Sequence, residues 1–167
     1  MDQQLALFVT SVGLSFVVWG VVVTRYLWPA LRSQPRHRAL QPLLLLHSFR
    51  FIGLAFLVPG VVSPDLPAAF ARPGAYGDLI AAVLALAALA AIRSPLGIGL
   101  VWVFNVWGTA DFLYAFYQGL IGVGLEPGQL GAAYFIPTVP VPLLLITHGL
   151  AFRLLVRGED VPTAGGI

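Results

Sequence analysis

Five long apolar stretches, separated by short polar connections, decide what this chain can fold into. They cover roughly residues 5–28, 40–62, 78–92, 96–120 and 132–156. An α-helix rises about 1.5 Å per residue, so roughly 20 apolar residues cross the hydrocarbon core of a bilayer. The third stretch is the shortest and is expected to recruit residues 73–77 or to tilt little. The pattern predicts an all-α integral membrane protein, a bundle of five transmembrane helices.

The composition indicates that the solvent of this bundle is a lipid bilayer. Of the 167 residues, 59% are hydrophobic and 10% are charged, whereas soluble domains are about 45–50% apolar and about 25% charged. The length suits a single transmembrane domain over residues 1–157, followed by a flexible cytoplasmic tail over residues 158–167. No positive charge precedes the first stretch, so it is not read as a signal peptide.

The arginines predict the orientation of the bundle. Arg50 lies inside an apolar stretch and Arg72 lies at one end. The other arginines all fall at the opposite end: Arg25, Arg32, Arg36, Arg38, Arg93, Arg153 and Arg157. Because basic residues concentrate on the cytoplasmic side, the N-terminus is expected in the periplasm and the C-terminus in the cytoplasm. This predicts a multi-pass protein of a bacterial inner membrane.

Several chemistries are excluded by residues that the chain lacks. It contains no cysteine, so disulfides, thiolate metal sites and iron–sulfur clusters are ruled out. It also contains no lysine, which rules out a Schiff base. No metal-binding motif is present, and the arginines near residues 32–38 are explained by topology, so neither a metal site nor nucleic-acid binding is predicted.

Polar side chains at membrane depth mark the candidate site. Counted from the arginine-rich ends of their helices, His47, Arg50, Asn105 and His148 all lie roughly seven to ten residues inward, within about one helical turn of each other. A cation at that depth costs about 2.5–3.5 kcal/mol on insertion scales, so something must compensate it. Because these four residues lie at a similar depth, we predict that three helices contribute to one buried polar site.

Asp111 lies about 9 Å further along the fourth helix than Asn105, toward the periplasmic end. A helical side chain leans toward the N-terminus of its helix, so Arg50 is expected to reach Asn105 and the histidines rather than Asp111. Asp78 is expected to cap the third helix, with a place beside Asp111 at the outer end of the polar strip of the fourth helix as the alternative. Prolines 137, 140 and 142 break the fifth helix, which predicts a cavity running from outside down to His148.

The preferred function is binding or transport of a small or amphipathic molecule. Arg50 would attract an anionic or carbonyl-bearing group, and the histidines would supply switchable donors. Trp102 and Trp107, with several phenylalanines, would form the apolar walls of the site. Each polar residue also has a structural interpretation: the histidines could bond to carbonyls, and Arg50 could pair with Asp111 or Asn105 only to fix helix register.

Two alternatives remain open from the sequence. His47 and His148 could be the axial ligands of one haem b, which would make the protein a b-type cytochrome. Asp111 and a histidine could act as acid and base in an enzyme that modifies lipids or isoprenoids, although the 9 Å offset opposes direct cooperation.

Two further segments carry structural predictions. The alanine-rich third helix allows close helix approach and could support a homo-oligomer. The connection over residues 63–77 is expected to form a partly ordered external lid, with one helical turn near residues 68–71.

Overall fold

Five long helices make up the molecule. The structure, a computed structural model, describes residues 3–157. Within that range the chain has no named strand, and its helices are α1 (Gln3–Arg32), α2 (Arg36–Leu57), α3 (Ala68–Ala91), α4 (Gly97–Gly122) and α5 (Pro127–Val156). All five are long and apolar enough to span a membrane. The predicted five-helix architecture is confirmed to this extent, and the predicted tail over residues 158–167 lies outside the described residues.

One end of the bundle, here called the arginine-rich end, brings together the end of α1, the start of α2 and the end of α5. Arg157 Nη1 donates a hydrogen bond to the carbonyl of Arg32 at 2.6 Å. The Arg153 guanidinium lies over the Trp28 ring, 4.1 Å from its centroid. The opposite end, called the cavity end, contains the α2–α3 connection and the start of α5.

The helix α3 begins at Ala68, well before the predicted start near residue 78. The single turn expected around residues 68–71 is therefore the first turn of this helix. Pro73 lacks the N–H that would bond to the Ala69 carbonyl, and such a proline usually kinks or breaks a helix. Gln118 Nε2, on α4, donates to that same carbonyl at 3.3 Å. A neighbouring helix thus replaces the lost donor, and α3 passes through the proline.

The second half of α2 changes its helical geometry. From Phe49 to Leu57 the backbone is a 3₁₀-helix, in which residues three apart lie above one another. Arg50, Gly53 and Phe56 follow this period, and they are the buried residues of the segment. The 3₁₀ geometry therefore sets one cation, one glycine and one aromatic ring in a row facing the interior.

The prolines interrupt α5 as predicted. The break lies at Val139, whose φ and ψ are −118° and −69°, between the short helix Phe135–Thr138 and the long helix Pro140–Val156. Trp19 Nε1 on α1 donates to the Val139 carbonyl at 3.0 Å. The Trp19 side chain thus bonds α1 to the break in the α5 backbone.

The α2–α3 connection is bonded to the start of α5. Ala132 N donates to the Val61 carbonyl at 2.7 Å, and Ser63 N donates to the Gln129 carbonyl at 3.0 Å. Gly131 lies beside Val61 with φ of +53°, a conformation that suits glycine. The expected lid is therefore a shorter connection that is joined by its backbone to α5.

Two apolar cores lie on either side of the polar layer. The core nearer the arginine-rich end includes Leu40, Leu44, Ala85, Phe104 and Leu154. The core nearer the cavity end includes Phe56, Ala75, Phe112, Leu130 and Leu144. The buried alanines of α3 pack inside the bundle, so an oligomer formed through α3 would have to use the other face of that helix.

Candidate functional site

Arg50 is the centre of the polar layer. Its Nε donates to Asp78 Oδ1 on α3 at 2.7 Å, and its Nη2 donates to Asp111 Oδ2 on α4 at 2.7 Å. Its Nη1 donates to the Gly108 carbonyl at 3.2 Å, and its Cζ lies 3.8 Å from the centroid of the Phe112 ring. One buried cation therefore joins two carboxylates on two other helices, and we call Arg50, Asp78 and Asp111 the ion triad.

The structure corrects two predictions about these residues. Arg50 reaches Asp111 directly, because the 3₁₀ backbone of α2 does not aim its side chain as a regular α-helix would. Asp78 does not cap α3: it lies well inside the helix, and its carboxylate pairs with Arg50. Capping was preferred over a place in the site because the start of α3 was expected near residue 78, ten residues too late.

His148 accepts the remaining contact of Arg50. Arg50 Nη1 lies 3.2 Å from His148 Nε2, and an arginine can only donate, so Nε2 is the unprotonated acceptor. On the other side of the ring, Nδ1 lies 2.6 Å from Asn105 Oδ1. Asn105 Nδ2 donates to the backbone carbonyl of His148 at 3.3 Å, which fixes its Oδ1 as an acceptor. The bonds thus assign His148 as a neutral imidazole with its proton on Nδ1.

His47 carries its proton on Nε2, the ring nitrogen that is unprotonated in His148. Thr147 Oγ1 donates to main-chain carbonyls of α5, at 2.9 Å to Leu143 and 3.0 Å to Leu144, so it accepts from His47 Nε2 at 3.0 Å. His47 Nδ1 is buried and has no hydrogen-bond partner among the described residues. The ring lies against His148, with a distance of 4.1 Å between ring centroids. Both histidines are therefore enclosed, and a second proton on His47 would be a buried charge without a hydrogen-bond partner, which disfavours it.

Three glycines make room for the site. A Cβ at Gly53 would overlap the Asp78 carboxylate, and one at Gly77 would overlap the Asp111 carboxylate. A Cβ at Gly108 would lie 2.6 Å from both Arg50 Nη1 and His148 Cε1. Only hydrogen fits at these positions, so the helices can approach closely enough for the ion triad to form. Sequence patterns identify such glycines only when the facing residues are known.

A cavity of about 110 Å³ lies between the ion triad and the cavity end. Its walls are apolar and come from all five helices, including Phe8, Phe56, Phe70, Ala115, Phe116, Leu130, Pro137 and Val141. Asp78 and Asp111 are its polar lining residues. The predicted cavity beside the proline break therefore exists, but it ends at the carboxylates and does not reach His148.

The carboxylates, rather than the guanidinium, face this cavity. The side chains of Asp78 and Asp111 remain 10% and 9% exposed, whereas the Arg50 side chain is 0% exposed. The structure also places the histidines and Asn105 behind Arg50, away from the cavity walls. A molecule in the cavity would therefore meet two carboxylates first.

The two predicted tryptophans lie elsewhere. Trp102 is 37% exposed, and its ring lies 5.8 Å from that of Phe152. Trp107 is 42% exposed and donates from Nε1 to the Gly77 carbonyl at 3.3 Å. Neither residue lines the cavity. Trp107 instead helps to hold α3 against α4, beside the glycine that faces Asp111.

The histidines do not fit a haem. Axial ligands bind iron from opposite faces of the macrocycle, and rings with centroids 4.1 Å apart leave no layer for it between them. Both nitrogens of His148 are also occupied, by Asn105 and Arg50. For the enzyme alternative, Arg50 lies between His148 and Asp111, so the two do not form an acid–base pair. Within residues 3–157, no three His, Asp or Glu side chains converge as a metal site.

One comparison with known proteins identifies a family. A family model described as "Domain of unknown function (DUF8737)" matches residues 7–156, so the chain belongs to this family. The match extends from α1 to the last residue of α5 and includes every residue of the site. No curated protein and no solved structure matches the chain.

Proposed function

We propose that this member of the DUF8737 family is a multi-pass inner-membrane protein that binds a small amphipathic molecule in the cavity between its helices. The observation that carries the proposal is the cavity itself, with apolar walls that end on a buried ion triad. Ligand sites combine mainly apolar walls with a few convergent polar groups, and this cavity has the same division.

The surface of the bundle supports insertion into a membrane. Large apolar side chains are exposed along the helices, among them Leu14, Val17, Val83, Leu113 and Val139. In water such a surface would be unfavourable, whereas in a bilayer it contacts acyl chains. By the positive-inside rule we propose that the arginine-rich end faces the cytoplasm, so that the cavity end faces the periplasm.

The size of the cavity limits the ligand. Drug-sized ligands occupy pockets of about 300–1,000 Å³, and an apolar cavity of about 150 Å³ holds a benzene molecule. A volume of about 110 Å³ therefore suits a short alkyl chain or one end of a longer molecule. We propose binding rather than passage, because the core between the polar layer and the arginine-rich end is closely packed.

A panel of short amphiphiles tests this function. The purified chain, in detergent, is heated with alcohols, amines and carboxylates that carry four to eight carbons, and the melting temperature is recorded. At least one head-group series should raise the melting temperature of the wild type. Ala115→Leu, which fills the cavity, should abolish that increase.

Ala110→Leu is the matched control, because Ala110 lies on the same helix but is exposed and does not line the cavity. This variant should respond as the wild type does. The proposed function fails if no member of the panel raises the melting temperature, or if Ala115→Leu and Ala110→Leu respond alike.

A further inference from the structure

We infer that the cavity selects amphiphiles whose head group is a cation, with a primary alkylammonium as the simplest example. This inference rests on the proposed function and adds the sign of charge that the ligand carries. It reverses the expectation from the sequence, in which Arg50 would attract an anion.

The charges of the buried site do not balance by themselves. Arg50 supplies one positive charge, while Asp78 and Asp111 supply two carboxylates. Among the described residues, the other titratable groups packed around the ion triad are His148 and His47. The hydrogen bonds assign His148 as neutral. His47 is taken as neutral because its buried Nδ1 has no partner that would stabilise a second positive charge. With both carboxylates ionised, the site has one negative charge in excess. Burial of an unpaired charge is unfavourable, so a positive group that enters the cavity is stabilised.

The carboxylates still have capacity to accept hydrogen bonds. Each uses one oxygen for Arg50, and among the described residues the second oxygen of each accepts no hydrogen bond. An ammonium group has three donors and no acceptor, which matches an environment of carboxylate oxygens. A carboxylate or phosphate head would instead meet two like charges, because the Arg50 guanidinium is fully enclosed behind them.

The apolar walls account for the rest of the ligand. The cavity side of the ion triad is lined by aliphatic and aromatic side chains, among them Phe56, Ala115, Leu130 and Val141. A hydrated metal ion would find no polar partner along these walls. An alkyl chain attached to the ammonium group fits them.

The head group is tested with three molecules of nearly equal size. The melting temperature of the purified full-length chain is measured with n-butylammonium chloride, n-butanol and sodium butyrate, at one pH and one ionic strength. Butylammonium should give the largest and a saturable increase, and butyrate should give none. If butanol or butyrate equals or exceeds butylammonium, the cation inference is wrong while the proposed function stands. If none of the amphiphiles binds, both fail.

Variants locate the effect at the carboxylates. Asp111→Asn removes the excess negative charge and should weaken butylammonium binding about tenfold or more, and should weaken butanol binding by a smaller factor. Asp65→Asn is the matched control, because Asp65 is exposed in the α2–α3 connection and does not line the cavity.

Asp78→Asn provides a second test if Asp111→Asn does not fold. The wild-type order of the three molecules is a test that needs neither variant to fold, since the inference fails if butylammonium is not the strongest binder. Preference for butylammonium that survives in both asparagine variants would overturn it.

Discussion

Asp78 and Asp111, on two different helices, bind the same guanidinium at equal distances of 2.7 Å. The two contacts hold α3 and α4 against α2 through one side chain. Since the guanidinium is fully buried, this arrangement makes the site a structural joint of the bundle as well as the end of the cavity.

Removal of Arg50 should therefore destabilise the fold. Arg50→Leu leaves two carboxylates buried without their cation, and loss of one partner from a buried ion pair costs about 3–5 kcal/mol. Arg93→Leu removes an exposed arginine and should change the free energy of unfolding by no more than about 0.5 kcal/mol. Unfolding in detergent with increasing denaturant measures both variants. Equal stability of the two would contradict the structural role of the ion triad.

A methyl group at Gly77 should destabilise the fold by displacing the Asp111 carboxylate. Gly77→Ala places a Cβ where the Asp111 carboxylate lies, so it should lower the free energy of unfolding by about 1–3 kcal/mol. Gly149→Ala offers the control, because a Cβ there meets nothing within 4 Å. In a helix interior that exchange should stabilise by about 0.5–1 kcal/mol. The changes in the free energy of unfolding of the two variants should therefore have opposite signs. The same sign for both would show that the space beside Gly77 is not limited by the Asp111 carboxylate.

The two buried histidines should be opposite tautomers. Imidazole ¹⁵N chemical shifts of the labelled protein should show His148 protonated on Nδ1 and His47 protonated on Nε2. Asn105→Leu removes the acceptor of the His148 proton and should shift the His148 signals. Thr109→Val, one turn away on α4, should leave them in place, because Thr109 bonds to the Asn105 backbone. A shared tautomer for both histidines would contradict the hydrogen-bond assignment.

The absence of cysteine makes the proposed orientation easy to test. Asp65→Cys places a thiol in the exposed α2–α3 connection, and Ser94→Cys places one in the exposed α3–α4 connection. A maleimide that cannot cross membranes should label intact cells through the first position and not the second. Labelling of the second position in lysed cells is the control for reactivity. The reverse pattern in intact cells would place the arginine-rich end outside.

The helices and most of the polar layer could be predicted from the sequence for a simple physical reason. The length of an apolar stretch indicates whether it can span a membrane. Polar residues inside such a stretch are rare, so they are easily recognised in the sequence. His47, Arg50, Asn105 and His148 were found in this way, and the structure brings all four together.

Asp78 and its contact with Arg50 could not be found in the same way. The start of α3 depends on Gln118, a residue far along the chain that supplies a donor beside Pro73. The direction of Arg50 depends on a 3₁₀ segment whose buried row consists of Arg50, Gly53 and Phe56, and a row with a cation and a glycine is not recognised as a buried face from an apolar pattern. The tryptophans were predicted as walls from their chemistry alone, whereas their position depends on which face of α4 turns inward. These are tertiary effects, and local patterns do not contain them.

The weak attachment of α1 has a consequence for how a molecule could arrive. This helix contributes Leu5 and Phe8 to the cavity wall, yet its first 20 residues include none that is buried. Trp19 and Tyr134 join it to α5, whereas the ion triad belongs to α2, α3 and α4. Displacement of α1 alone would open the cavity sideways, toward the acyl chains, and leave Arg50 and its carboxylates in position. In the proposed orientation, an amphiphile dissolved in the outer leaflet would then enter without crossing water.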